Sequence, residues 1–164
     1  MKKNRFKYIM IGIVSIFLIL FGFYSLLIWT WQGEFIKYDD GVTIEIKNSS
    51  KQVIIDLNFF FAFENAHVYQ DLGNINKIEP GETTSLYSPI INGVGNDRSL
   101  YLQYPVNITE KAVESLAYVA SYKPSKVIVI IEIFGFDNKG KLLFSVKGFD
   151  DISQYEFDLT SVRE

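Results

Sequence analysis

The 164-residue chain contains no cysteine and a single histidine, His67. Without cysteine there is no disulfide and no lipid-modified Cys at which a lipoprotein is processed. A zinc site would have to be built from one imidazole and carboxylates, an uncommon donor set. A Ser, His and Asp triad would have to use that same His67, which follows Ala66 near the end of a strand-like stretch with no nucleophile motif around it. The sequence also lacks internal repeats and low-complexity segments, and it has only four prolines. Charge is missing from one stretch altogether. Tyr8 to Trp31 is an uncharged run of 24 residues.

At 1.5 Å rise per residue that run spans about 36 Å as a helix, enough to cross a hydrocarbon core of roughly 30 Å with some tilt. Lys2, Lys3, Arg5 and Lys7 precede it, which assigns the N-terminal side to the cytoplasm. Tyr8 at one end and Trp29 and Trp31 at the other suit the headgroup layers. The run is longer than a signal-peptide core, and Ile28-Trp29-Thr30-Trp31-Gln32 offers no small-residue cleavage site. The expected organisation is a cytoplasmic N-terminus over 1–7, an uncleaved signal anchor over 8–31, a tether over 32–40 and an extracytoplasmic domain over 41–164. The bilayer is thus the first expected partner, and the location is the cytoplasmic membrane, single-pass, with the C-terminal domain outside.

All nineteen acidic residues follow the run, with twelve of the sixteen basic ones, so the remainder carries a net charge of −7. That balance keeps a domain soluble and argues against nucleic acid as a partner. About 130 residues suffice for one domain with one core.

The core is written mainly with a period of two. Val42, Ile44 and Ile46 alternate with polar residues as in a half-wet strand, and Asn48 to Lys51 then turn the chain. Val53 to Phe63 is apolar almost throughout and predicts a central strand whose odd positions, Val53 to Phe61, face the core. Ile75 to Ile78 leads into the Glu79-Pro80-Gly81-Glu82 turn, and Thr83 to Tyr87 continues as a strand. Ser88 to Ser99 has no periodicity and predicts the longest loop, with Ile90, Ile91, Asn92, Asn96, Asp97 and Arg98 as a candidate binding surface. Ser99 to Tyr104 alternates again.

Val113, Leu116, Ala117 and Ala120 recur at helical spacing, so Thr109 to Ser121 is expected to be a short crossover helix. Lys126 to Phe136, Lys141 to Phe149 and Gln154 to Leu159 are the closing strands, the first two joined by a hairpin in which Gly140 takes the left-handed position. The expected fold is mostly β: an N-terminal transmembrane helix followed by an antiparallel immunoglobulin-like β-sandwich.

Among the acids, Glu132 interrupts an apolar strand and needs a partner. The hairpin brings it opposite residue 145, so Lys147 within diagonal reach is the expected ion-pair partner. Asp39 with Asp40, and Asp150 with Asp151, are read as turn or cap residues, since neither pair starts a calcium loop. Asn48 with Ser50 and Asn107 with Thr109 match the glycan acceptor pattern. No catalytic residue, metal site or cofactor is implied by any motif.

The Asn48-Ser49-Ser50 turn, the long apolar strand after it and Ile78-Glu79-Pro80-Gly81-Glu82-Thr83 together resemble extracytoplasmic immunoglobulin-like modules. The resemblance covers about residues 42 to 87 and implies a fold, with no activity attached. In layout, with one anchor and a small acidic domain, the chain also resembles the membrane-anchored immunity proteins of Gram-positive bacteria, which neutralise secreted toxins. The function expected is a non-enzymatic, membrane-tethered binding or accessory module that contacts another envelope or secreted protein. The alternatives are such an immunity protein, an enzyme acting on envelope polymers or lipids, and a small-ligand carrier. A pair such as Glu132 and Asp56 facing one pocket would favour the enzyme.

Overall fold

The computed structural model describes residues 2–63, 68–89, 91–92 and 98–160, with the side chains of residues 2–6 and 69 outside the description. The chain forms two compact units, Met1–Ile36 and Lys37–Glu164. It is mostly β, with two sheets and one N-terminal apolar helix.

The first unit is helix α1 (Lys2–Gln32), followed by a 3₁₀ turn over Gly33–Lys37. Apolar side chains are exposed all around α1, Tyr8, Trp29 and Trp31 among them. A helix that is apolar on every face has no wet side to turn toward water. It is long and apolar enough to span a membrane.

Among its described residues the second unit carries nine strands: β1 (Gly41–Asn48), β2 (Ile54–Phe63), β3 (Val68–Ile78), β4 (Thr83–Ser88), β5 (Arg98–Pro105), β6 (Lys111–Val119), β7 (Lys126–Phe136), β8 (Leu142–Phe149) and β9 (Gln154–Asp158). One sheet runs β4-β1-β7-β8-β9 and the other β3-β2-β5-β6. All neighbours are antiparallel except β1 and β7, which run side by side from Gly41 against Lys126 to Asn48 against Ile133. Residues from both sheets, among them Ile44, Phe59, Leu102, Ile131 and Phe144, bury one common hydrophobic core. On β8, Gly148 has no room for a Cβ, which would strike the Ile128 carbonyl and the Tyr155 hydroxyl.

The end of β1 is locked by Asn48, which is completely buried. Its amide nitrogen donates to the carbonyls of Gln52 and Ile78, at 2.8 and 3.1 Å, and its side-chain oxygen accepts from the Ser50 amide and hydroxyl. Its backbone closes on the Glu79–Glu82 turn, where Gly81 adopts a φ of 80° and donates to the Asn48 carbonyl at 2.7 Å. Asn48 is therefore a structural joint and, being buried, offers no glycan acceptor. Asp150 and Asp151 take the turn and cap roles expected of them, Asp151 accepting from the Ser125 and Lys126 amides and Asp150 from those of Ile152 and Ser153.

Two expectations are corrected here. Thr109 to Ser121 is no helix: Lys111–Val119 is edge strand β6, paired with β5. The ladder slips between Leu100 and Tyr101, so Leu116 is an extra residue, and Leu116 and its neighbour Ala117 are both buried. A bulge that switches the inward phase of a strand from even to odd positions puts adjacent apolar residues in sequence, which imitates helical spacing. In β2 the inward face is odd from Leu57 onward, but Val53 and Ile55 are 40% and 50% exposed while Ile54 is buried. Asp56 sits between the two phases with a φ of 53°, a left-handed conformation that Asp tolerates better than most residues.

Candidate functional site

At the end of the two-sheet domain opposite Gly41, three connections converge: the β1–β2 turn, the β5–β6 hairpin loop and the β7–β8 hairpin loop. They enclose an open groove of about 790 Å³, lined on its apolar side by Val53, Ile55, Val106, Ile108 and Phe136. Each wall is held by local hydrogen bonding. The Asp137 carboxylate accepts from the Lys139 and Lys141 amides, both at 2.8 Å, and shapes the β7–β8 turn. Gly140, at a φ of 81°, packs so close to Val106 that a Cβ would lie 2.9 Å from its carbonyl oxygen. The two hairpins are thereby pressed together.

The β5–β6 loop is fixed by Asn107, whose side-chain oxygen accepts from the amides of Thr109 and Glu110 and from the Thr109 hydroxyl, all at 3.0 Å. The Val106 amide also donates to the Glu110 carbonyl at 2.9 Å. Between these anchors Ile108 is fully exposed, at 104% of its reference area. An ordered turn thus presents a β-branched apolar side chain to water.

A second, smaller recess of about 210 Å³ adjoins the groove and shares Asp56, Pro105 and Lys111 with it. Its remaining lining is polar: Asn58, Asn74 and Gln103. Glu132 lines neither concavity, so Asp56 and Glu132 are not brought together.

Glu132 lies on β7 opposite Ser145 of β8, as the hairpin requires, yet its ion pair forms on the other side. Lys47 of β1, directly across the parallel ladder, donates to Glu132 Oε1 at 2.7 Å, and the Ser49 hydroxyl donates to the same oxygen at 2.6 Å. Lys147 acts on it only as a weaker favourable charge. The bonds from Lys47 and Ser49 hold the Glu132 carboxyl below its usual range. A carboxyl with a depressed pKa adds stability above its unfolded pKa, and that contribution disappears as pH falls through the folded one. Because the pair is solvated, Glu132→Gln is expected to lower stability by less than about 1 kcal/mol at pH 7. Denaturant midpoints of the two proteins should converge as pH falls through the folded pKa of Glu132; midpoints that differ equally at every acidic pH would contradict the assignment.

The predicted binding loop divides. Ile90, Asn96 and Asp97 lie outside the described residues, as does His67, while Ile91 is half-buried and Asn92 exposed. Arg98 is corrected from a binding residue to a buried staple, being 1% exposed. Its guanidinium donates to the carbonyls of Asn92 (3.2 Å), Ser121 (3.2 Å) and Tyr122 (2.9 Å). Among the described residues no group of three or more His, Cys, Asp and Glu side chains gathers as a metal site.

The groove was invisible in the sequence because Val53 and Ile55 continue an apolar run and read as core. One local signal existed. Ile108 is an apolar residue at the centre of the polar Asn107-Ile108-Thr109-Glu110 turn. No protein-family model matches the chain, and no curated protein or solved structure matches it.

Proposed function

We propose that the chain is a membrane-anchored, non-enzymatic binding module that holds another envelope or secreted protein through the groove between its hairpin loops. In this reading α1 crosses the cytoplasmic membrane with its basic end inside, and residues 37–164 form an immunoglobulin-like β-sandwich outside. The observation that carries the reading is Ile108. Its turn is ordered by Asn107 and by the Val106–Glu110 hydrogen bond, so little conformational freedom is lost when a partner covers it. Loops clustered at one end of a rigid scaffold are where binding residues concentrate. A protruding apolar side chain beside an apolar groove, with Val53 and Ile55 exposed next to it, is the arrangement of a binding hot spot rimmed by weaker contacts.

The test uses the full-length protein in its own membranes with a photo-crosslinking residue at 108, at 53 or, as a remote control, at Tyr87. One discrete adduct from 108 and 53, absent from 87, is expected. In the unlabelled protein Ile108→Asp should weaken capture of that same partner at least about tenfold, the loss of a modest hot spot, with the thermal midpoint unchanged. Equal labelling from all three positions, or capture insensitive to the substitution, would sink the reading.

A further inference from the structure

We infer that the outer face of the four-stranded sheet carries a second site, adjoining the apolar groove, that binds a neutral oligosaccharide. Asn74 of β3, Asn58 of β2 and Gln103 of β5 form one rung across three adjacent strands, Asn58 standing opposite both of the others. Their chain neighbours Leu57, Phe59, Leu102 and Tyr104 belong to the core, so alternation directs the three amides to the opposite face. With Asp56, Pro105 and Lys111 they line the recess of about 210 Å³.

The rung carries unused hydrogen-bonding capacity. Elsewhere in the domain Asn48, Asn107, Asp137, Asp150 and Asp151 all bind backbone groups. Among the described residues, Asn58, Asn74, Gln103, Asp56 and Lys111 make no hydrogen bond or ion pair with another protein group through their side chains. Three amides offer six N–H donors and three carbonyl acceptors. A ligand that matches such a mixture must itself alternate donors and acceptors over short distances, as sugar hydroxyl groups do. Charge points the same way: one carboxylate and one ammonium cancel at the rim, which suits a neutral ligand and not a polyanion.

The next rung of the same face supplies a ring. Phe60 stacks on Tyr101 across β2 and β5, with centroids 5.7 Å apart and an interplanar angle of 22°. Phe60 is nearly buried and Tyr101 half-exposed, so the pair gives a fixed platform. The electron-rich face of an aromatic ring accepts the weakly positive C–H side of a pyranose, while the amides beside it take the hydroxyl edge.

The test is calorimetric titration of the full-length protein in lipid nanodiscs, free of glycoside detergents, with cellotetraose and chitotetraose as neutral probes and a tetrasaccharide of heparin as the anionic one. Saturable binding of a neutral probe is expected, weakened at least tenfold by Asn58→Ala and by Gln103→Ala and unaffected by Ile108→Asp. These polar side chains make no internal contacts that folding needs, and Asn58→Asp and Gln103→Glu repeat the test at constant volume. Absence of saturable binding by both neutral probes at millimolar concentration would overturn the inference. So would preference for the anionic probe, or binding that both alanine variants leave intact.

Discussion

Arg98→Met is expected to cost about 3 kcal/mol, among the largest losses available from a single side chain in this domain. The guanidinium is buried and donates to three backbone carbonyls drawn from two separate connections, Asn92 after β4 and Ser121 and Tyr122 after β6. Methionine fills a similar volume, so the change isolates the loss of donors from the loss of packing. Hydrogen bonds from a charged donor are worth about 1.5–3 kcal/mol each, and partly buried carbonyls left without a donor bear a desolvation penalty besides. Arg98→Lys should rescue little, because one ammonium group does not reproduce a planar fork reaching separate carbonyls. The measurement is a denaturant midpoint together with amide exchange around residues 121–124. Faster exchange there, beyond the global loss, is the local signature; a cost under about 0.5 kcal/mol, the range of ordinary surface substitutions, would show that Arg98 is not a staple.

Asn48→Ala should be comparably damaging, again by about 3 kcal/mol, for a different reason. Asn48 uses both functions of its amide within a fully buried site: nitrogen to the Gln52 and Ile78 carbonyls, oxygen to the Ser50 amide and hydroxyl. Alanine leaves those four groups to find new partners in a space too enclosed for most of them to do so. For a domain of this size each kcal/mol moves the thermal midpoint by about 4 °C, so a drop of about 12 °C is expected. Asn48→Asp separates geometry from chemistry. It keeps the acceptor for Ser50 but sets a carboxylate against the two carbonyls, so it should be no better than alanine at pH 7 and should partly recover once protonated. Midpoints for both variants at pH 7 and pH 4 decide this; an Asp variant as stable as the parent at pH 7 would show that the amide nitrogen contributes little.

Most of the strands could be read from alternation because each has one face in the common core, and the connections were marked by Asn48-Ser49-Ser50, Pro80-Gly81 and Asp137 to Gly140. Reading failed where the period changed within a strand. The bulge at Leu116 turned an edge strand into an apparent helix, and the left-handed Asp56 separated Val53 and Ile55 from the core face they seemed to extend. The first half of β3 escaped notice for another reason: Gln70, Asp71, Gly73 and Asn74 make it a polar edge strand with no apolar rhythm. The hairpin visible in sequence points Glu132 to Lys147, whereas Lys47 reaches it through the β1–β7 pairing, which sequence does not show. The candidate sites were the least legible part. The groove draws on three connections distant in sequence, and the amide rung has one member on each of three strands.

The position of β1 has a consequence for how the protein is made. It is the first strand of the domain to leave the ribosome, but its neighbours are β4 and, through contacts such as Lys47 with Glu132, a strand 85 residues downstream. The β2–β3 and β5–β6 hairpins form from nearby chain and belong to the other sheet, so that sheet has the means to assemble while synthesis continues. β4 can cover one edge of β1 once residues 83–88 have emerged, but the other edge stays open until β7 arrives. The strand nearest the helix is therefore completed only after most of the domain has emerged, with one edge of an apolar strand exposed to other chains in the interval.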